Sequence, residues 1–314
     1  MSPSYAFFKG RIVPYADAKI GVLTHALNYG TAVFGGIRGY WNPEMEELFV
    51  FRPEDHMKRF LDSARLLNMK FDVTPRQLVD SLKELLHAED YHEDCYIRPL
   101  AFLSDETIGV RLDGLTPAVS MVAFPFGKYL DRDEGAHLTV SSWRRIDDAV
   151  IPPRGKVTGG YINSALAKND AQKAGFDDAI LLDGRGKISE ATVSNVFLVR
   201  RGQVLTPQVT DGVLEGITRR TVMELARREL GIEVVERSID RTELLLADEA
   251  FLAGTGIGIV PITRVDHRPI GEGKIGEITG SVRRLYFDAA RGKLAAYRSW
   301  CRPVGKSIQR VEVA

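Results

Sequence analysis

Strands and helices interleave along the whole chain, which predicts an α/β (α+β) fold in two domains. The expected division is a small N-terminal domain over residues 1–126, a connection over 127–136, and a larger C-terminal domain over 137–314. Three observations carry this reading. Short runs rich in β-branched and aromatic residues alternate with segments of helical periodicity in both halves. The charged, glycine-containing stretch GKYLDRDEGA, Gly127–Ala136, separates two parts of different character. The length of 314 residues fits about two domains at one per ~150 residues.

In the first domain, AFFKGRIVPY reads as two brief strands around a Lys9-Gly10 turn, and Glu47–Phe51 as a third strand. The segment from Pro53 to Leu67 carries proline and acidic residues in its first turn. Its Met57, Phe60, Leu61, Ala64 and Leu67 recur at helical spacing, so it is an amphipathic helix. A second helix starts with Thr74 as N-cap and Pro75 at the first helical position. Strand-like runs CYIRPLAFL and AVSMVAFPF follow. In the second domain, HLTVSSW, DAILLD, NVFLVRRGQVLTP and EAFLAG alternate with helices. SALAKNDAQKAG stops at Gly175 and TRRTVMELARRELG at Gly231, each with the residue type that ends helices most readily.

The composition excludes several classes. The 42 basic and 42 acidic residues cancel, whereas nucleic-acid and membrane-surface binders show a basic excess. Two cysteines, Cys95 and Cys301, form no CxxC pair, which fits a reducing compartment and rules out a disulfide framework. No apolar stretch approaches the ~20 residues of a membrane span, and no secretory signal is evident, so the expected location is cytoplasmic. GEGKIG, Gly271–Gly276, matches a dinucleotide-binding pattern but follows DHRPI late in the chain, where it reads as a hairpin turn. His87, His92 and Cys95 match no zinc spacing, so no metal is expected.

The stretch RGKVTGGYINSALAK is the candidate for chemistry. Lys156 alone would be an ordinary exposed lysine. Here it lies in a glycine-flanked loop before a helix, with a phenol at Tyr161. A lysine amine shielded from water or set among cations can form a Schiff base with a carbonyl. Pyridoxal 5'-phosphate uses such a lysine. It also needs an acid for its pyridine nitrogen and amides or cations for its phosphate.

Seven ordered segments then show a resemblance: HALNYGTAVFGGIRGY, HMKRFLDSA, YIRPLAF, GKVTGGYINS, DGRGKISEATVSNVF, GVLEGITRR and LADEAFLAGTG. Between about Phe7 and Tyr286 the chain resembles branched-chain amino acid aminotransferases, fold-type-IV enzymes dependent on pyridoxal phosphate. The resemblance implies that Lys156 holds the cofactor and moves the substrate proton, that Tyr161 meets its phenolic oxygen, and that Glu190 faces its ring nitrogen. It assigns the phosphate to Arg59, Ile217, Thr218 and Thr255. The start of the helix at Ile217–Thr218 suits an anion through its open N–H groups and dipole, although Thr218 could equally be a plain cap.

On the substrate side, the resemblance implies Tyr96 and Arg98 near the carboxylate. It implies Thr255 and Gly256 as amide donors to it, and Tyr29, Phe34, Arg38 and Tyr129 around the side-chain pocket. It implies a homodimer, a role in branched-chain amino acid biosynthesis, and transfer of the amino group of L-leucine, isoleucine or valine to 2-oxoglutarate. Three positions depart from the family, which usually carries glutamate where this chain has Gly35, Ser194 and Gly258. A less acidic pocket raises the alternative of an (R)-selective amine transaminase acting on amines such as (R)-1-phenylethylamine with an oxo-acid acceptor.

Overall fold

The structure, a computed structural model, describes residues 3–127 and 134–305. It divides into two compact units, Met1–Gly127 with Asp288–Ala314, and Lys128–Phe287.

The first unit is built on an eight-stranded sheet in which every pairing is antiparallel. From one edge its order is Cys301–Pro303, Glu47–Phe51, Ile37–Asn42, Cys95–Leu103, Pro117–Pro125, Tyr5–Phe8 and Arg11–Pro14, with Ala32–Phe34 also pairing Cys95–Leu103. Lys9 and Gly10 make the expected turn with φ of 51° and 93°, the positive values a tight right-twisted hairpin requires. The helices Pro53–Leu66 and Pro75–Glu89 bury Met57, Phe60 and Ala64 from one and Leu78, Val79, Leu82, Leu85 and Leu86 from the other. The second starts in a full capping box: Thr74 Oγ1 accepts from Gln77 N at 3.2 Å and Gln77 Oε1 accepts from Thr74 N at 2.8 Å. A cap of this kind contributes about 1 kcal/mol.

The end of the chain returns to this unit. Cys301 pairs with Phe51, Asn42 Nδ2 donates to Arg291 O at 2.8 Å, and Arg291 forms an ion pair with Asp94 at 2.7 Å. The sequence reading placed these residues with the second domain. No hydrophobic period marks a strand of three residues at a sheet edge, so the return is invisible locally.

The second unit contains a nine-stranded mixed sheet. Six of its strands form a closed ring: Ile188–Ala191, Asp178–Leu182, Ala136–Arg144, Gly258–Val265, Glu249–Gly254 and Asn195–Arg200. The pair Glu190–Asn195 closes it. The ring encloses Leu138, Ile180, Ile188, Val196, Leu198, Leu252, Val260 and Ile262, all buried. That burial on both faces explains why DAILL reads as an unbroken apolar run rather than an alternating one. Ala136–Arg144 runs parallel to Asp178–Leu182, and the helix Tyr161–Lys173 lies between them in sequence, as a parallel crossover demands. The helix Ile217–Leu230 ends at Gly231 with φ of 67°.

GEGKIG departs from its expected role. The hairpin turn is Asp266-His267, with φ of 48° and 63°, and the glycine stretch joins the short strand Arg268–Pro269 to the helix Glu277–Ala290. Gly271 is required there because a Cβ would lie 2.1 Å from Asp248 O. Among the described residues no histidine, cysteine or carboxylate cluster could hold a metal ion. No helix among them is long and apolar enough to cross a membrane.

Candidate active site

Lys156 sits half-buried in a loop that passes through a short turn, Thr158–Gly160, directly into the helix Tyr161–Lys173. This tight entry folds Tyr161 back, and Lys156 Nζ donates to Tyr161 Oη at 2.6 Å. The same amine lies 4.9 Å from the centre of the tyrosine ring. A Cβ on Gly160 would meet Ile151 and Ile146 at 3.6 and 3.7 Å, ordinary contact distances, so Gly160 is not crowded by protein.

Ile146 follows Arg145, which reaches the second functional group. Arg145 Nη2 lies 2.8 Å from Glu190 Oε1, and the two side chains are only 12% and 8% exposed. Glu190 Oε2 accepts from Asn195 Nδ2 at 3.1 Å and from Leu214 N at 3.0 Å. A carboxylate offers about four acceptor sites. Among the described residues three are filled, and one on Oε1 stays open. Leaving either charge of such a buried pair alone costs about 3–5 kcal/mol.

Asn195 links this carboxylate to a helix start. Its Nδ2 also donates to Leu214 O at 3.0 Å, and a Cβ on Gly216 would lie 2.1 Å from its Oδ1. Only glycine fits there. Gly216 is the N-cap of the helix Ile217–Leu230 and among the described residues no side chain caps it, so Thr218 does not act as a cap. The first N–H groups of an α-helix have no partner within it. Ile217 and Thr218 therefore open a helix whose dipole and free amides favour an anion.

Thr255 and Gly256 lie in the hairpin loop between Glu249–Gly254 and Gly258–Val265. The loop rests on Ser194: a Cβ on Gly254 would come within 3.0 Å of Ser194 Cβ. Ser194 is 4% exposed, and among the described residues its hydroxyl has no partner. The pair Lys156–Tyr161, the group Arg145, Glu190 and Asn195 with the helix start at Gly216, and the Thr255 loop beside Ser194 all belong to the second unit.

The remaining sequence-predicted residues belong to the first unit. Phe34, Tyr96 and Arg98 come together. The Arg98 guanidinium stacks 4.6 Å from the Phe34 ring, and its Nη2 donates to Tyr96 Oη at 3.2 Å. The second glycine of FGGIR makes room for this cluster, because a Cβ on Gly36 would lie 2.1 Å from Tyr96 Oη. Tyr29 Oη accepts from Gly109 N at 2.9 Å, and its ring packs on His25. Arg38 is buried and donates to the carbonyls of Phe126 and Gly127 at 2.9 and 3.2 Å. Arg59 is half-buried on the helix Pro53–Leu66. Tyr129 lies outside the described residues.

Two of the three departures from the family now have a steric cause. A Cβ on Gly35 would lie 2.5 Å from Pro99 Cγ. Gly258 has φ of 66°, in the left-handed region, and a Cβ there would lie 2.6 Å from Phe287 Cζ. Sequence reasoning missed Arg145, Asn195 and Leu214. The available signals were Asn195 within DGRGKISEATVSNVF and Leu214 within GVLEGITRR.

Comparison with known proteins gives the family and the fold. The family described as Amino-transferase class IV matches residues 33–265. A probable branched-chain-amino-acid aminotransferase of Aquifex aeolicus is 45% identical over 303 residues, covering 96% of this chain and 97% of the relative. The crystal structure of the branched-chain aminotransferase from Thermoproteus uzoniensis with norvaline superimposes with a TM-score of 0.93. Its identity is 42%, over 96% of this chain and 100% of that one. The branched-chain amino acid aminotransferase from Thermobaculum terrenum in its PLP form gives 0.92 at 41% identity, over 97% and 99%. Matches of this extent over a complete fold-type-IV framework leave one assignment: the chain belongs to the branched-chain amino acid aminotransferase family of class IV aminotransferases.

Proposed function

We propose that this protein transfers the amino group of L-leucine, isoleucine or valine to 2-oxoglutarate in a ping-pong reaction. In this reading it works as a cytoplasmic homodimer in branched-chain amino acid biosynthesis. The observation that carries the reading is the Lys156 amine 2.6 Å from a phenol, in the same unit as the hydrogen-bonded Glu190 carboxylate and the glycine-capped helix start at Ile217.

The residues present fit pyridoxal 5'-phosphate. The open acceptor on Glu190 suits the ring nitrogen, Tyr161 suits the ring oxygen, and the amides of Ile217 and Thr218 with the Thr255 loop suit the phosphate. Arg59 is the family's further phosphate contact. When bound, the cofactor supplies an aldehyde carbon for the amine and a protonated ring that accepts electron density as the Cα proton leaves. Lys156 would attach the cofactor and carry the proton from Cα of the amino donor to the cofactor's C4′ carbon. Tyr161 holds that amine in place, and Glu190 keeps a negative charge against the ring nitrogen. By the family resemblance, Arg98 and Tyr96 are assigned to the substrate carboxylate, as are the amides of Thr255 and Gly256. Tyr29, Phe34, Arg38 and Tyr129 border the side-chain pocket.

The first unit carries an apolar patch that supports the homodimer. Ile20, Val22, Leu23 and Leu27 on one loop and helix, and Ile108 and Val110 on another loop, are all exposed, Val22 and Val110 at 80%. His25 ties the two segments together: its N–H donates to Asp105 O at 2.8 Å and its Nε2 meets Gly109 O at 2.7 Å. An exposed apolar surface of this kind marks an interaction site. Replacing Leu27 and Val110 together with aspartate is expected to halve the mass measured by light scattering. A mass unchanged by the double substitution would remove this face as the interface.

The donor panel decides the activity. Initial rates with L-leucine, L-valine and (R)-1-phenylethylamine are measured against 2-oxoglutarate and pyruvate. L-leucine with 2-oxoglutarate is expected to exceed the aromatic amine by about 100-fold or more in kcat/KM, about 3 kcal/mol of transition-state preference. A faster reaction with the amine would instead establish the (R)-amine transaminase, the activity that the lost carboxylates at Gly35, Ser194 and Gly258 would favour.

A further inference from the structure

Arg145 has no role in the reading above, yet it is the residue most tightly engaged with Glu190. We propose that Arg145 is a positioning residue that presents Glu190 to the cofactor's ring nitrogen as an oriented anion with a single open acceptor direction. The inference rests on the pyridoxal-phosphate reading of the site.

Two contacts fix the guanidinium. Nη2 meets Glu190 Oε1 at 2.8 Å, and Nε donates to Gly212 O at 2.9 Å. With both engaged, the plane of the fork is set, and so is the side of Oε1 that it occupies. Oε2 is already taken by Asn195 and Leu214 N. The carboxylate is therefore held at both oxygens, and an incoming N–H has one place to go.

The support behind Arg145 is itself anchored. Gly212 has φ of 75° and follows the short turn Val209–Asp211. Asp211 is fully buried, pairs with Arg185 at 2.5 Å and accepts from Ser238 Oγ at 3.0 Å. A Cβ on Gly212 would lie 3.4 Å from Arg145 Cγ, so the turn also packs against the arginine's stem. A lysine could supply the charge but not both directed contacts.

The test compares wild type with Arg145→Met, Arg145→Lys, Glu190→Gln and the Arg145→Met/Glu190→Gln double variant. Three quantities are read: the affinity for pyridoxal phosphate, the pH midpoint of the bound cofactor's visible absorbance, and the single-turnover rate with L-leucine. Arg145→Met is expected to lower cofactor affinity and the single-turnover rate by about 10- to 100-fold, the usual effect of removing a group that orients a primary contact. The absorbance midpoint should rise by about one pH unit, because removing a cation favours protonation of nearby bases. The dissociation constant of L-leucine should change by less than about threefold.

Arg145→Lys should recover only part of the loss, and it reads the same quantities if the methionine variant does not fold. In the Glu190→Gln background, Arg145→Met should add less than about a further threefold, since it acts through Glu190. Unchanged cofactor affinity and midpoint in Arg145→Met, or a full additive loss in the double variant, would overturn the proposal. A wild-type protein that takes up no cofactor would instead bring down the reading of the site, and the inference with it.

Discussion

Lys156→Ala should reduce turnover of L-leucine by about ten-thousandfold, the upper range for losing a general acid–base, and should abolish covalent attachment of the cofactor. The amine 2.6 Å from Tyr161 Oη is the group placed to carry both tasks in the second unit. Lys156→Arg should not rescue activity, because a guanidinium stays protonated and cannot act as nucleophile or base. Borohydride reduction followed by peptide mapping provides the direct check, with the adduct expected on the peptide that contains Lys156. An adduct on any other lysine would move the active site elsewhere. Lys156 is half-buried and not part of the apolar core, so the variant's thermal transition should stay within a few degrees of wild type.

Gly216→Ala should weaken pyridoxal phosphate binding by about 100-fold, or about 3 kcal/mol. The added methyl group would overlap Asn195 Oδ1, at 2.1 Å. Asn195 cannot easily turn away, since its amide donates to both Glu190 and Leu214 O and its backbone closes the strand ring. Either the helix start or the carboxylate must shift, and each is a cofactor contact in the proposed site. Gly280→Ala is the control. A Cβ there meets nothing within 4 Å, so that variant should bind the cofactor normally and gain up to about 1 kcal/mol in stability. Equilibrium titration of the cofactor-free proteins measures both. Affinity within about threefold of wild type for Gly216→Ala would show that the shell tolerates the shift.

What could be read from the sequence was local. The Lys9-Gly10 turn, the Thr74 cap with Pro75, and the stop at Gly231 each depend on neighbours a few residues away, and each stands where expected. Lys156 and Tyr161 belong to one short motif and meet directly. Glu190 needed the family resemblance, because an acid after a polar turn looks like any solvated one. Arg145 escaped notice for a physical reason. Arg144 beside it is exposed, and only the distant Glu190 and Gly212 separate the two arginines' environments. Register between remote strands likewise hid the pairing of Cys301 with Phe51. The glycine at 258 could be noted as a departure, but its left-handed backbone and the Phe287 ring beside it required the fold.

The return of the C-terminal segment to the first sheet bears on how the protein is made. As the nascent chain leaves the ribosome, the strand Glu47–Phe51 presents one backbone edge without its partner until Cys301–Pro303 has been synthesised. The later, contiguous unit can complete first, so the usual vectorial order of folding is reversed for this pair. Throughout that interval the bare edge is a template for pairing with another chain, and crowded translation of this message invites cross-chain strand exchange at that position.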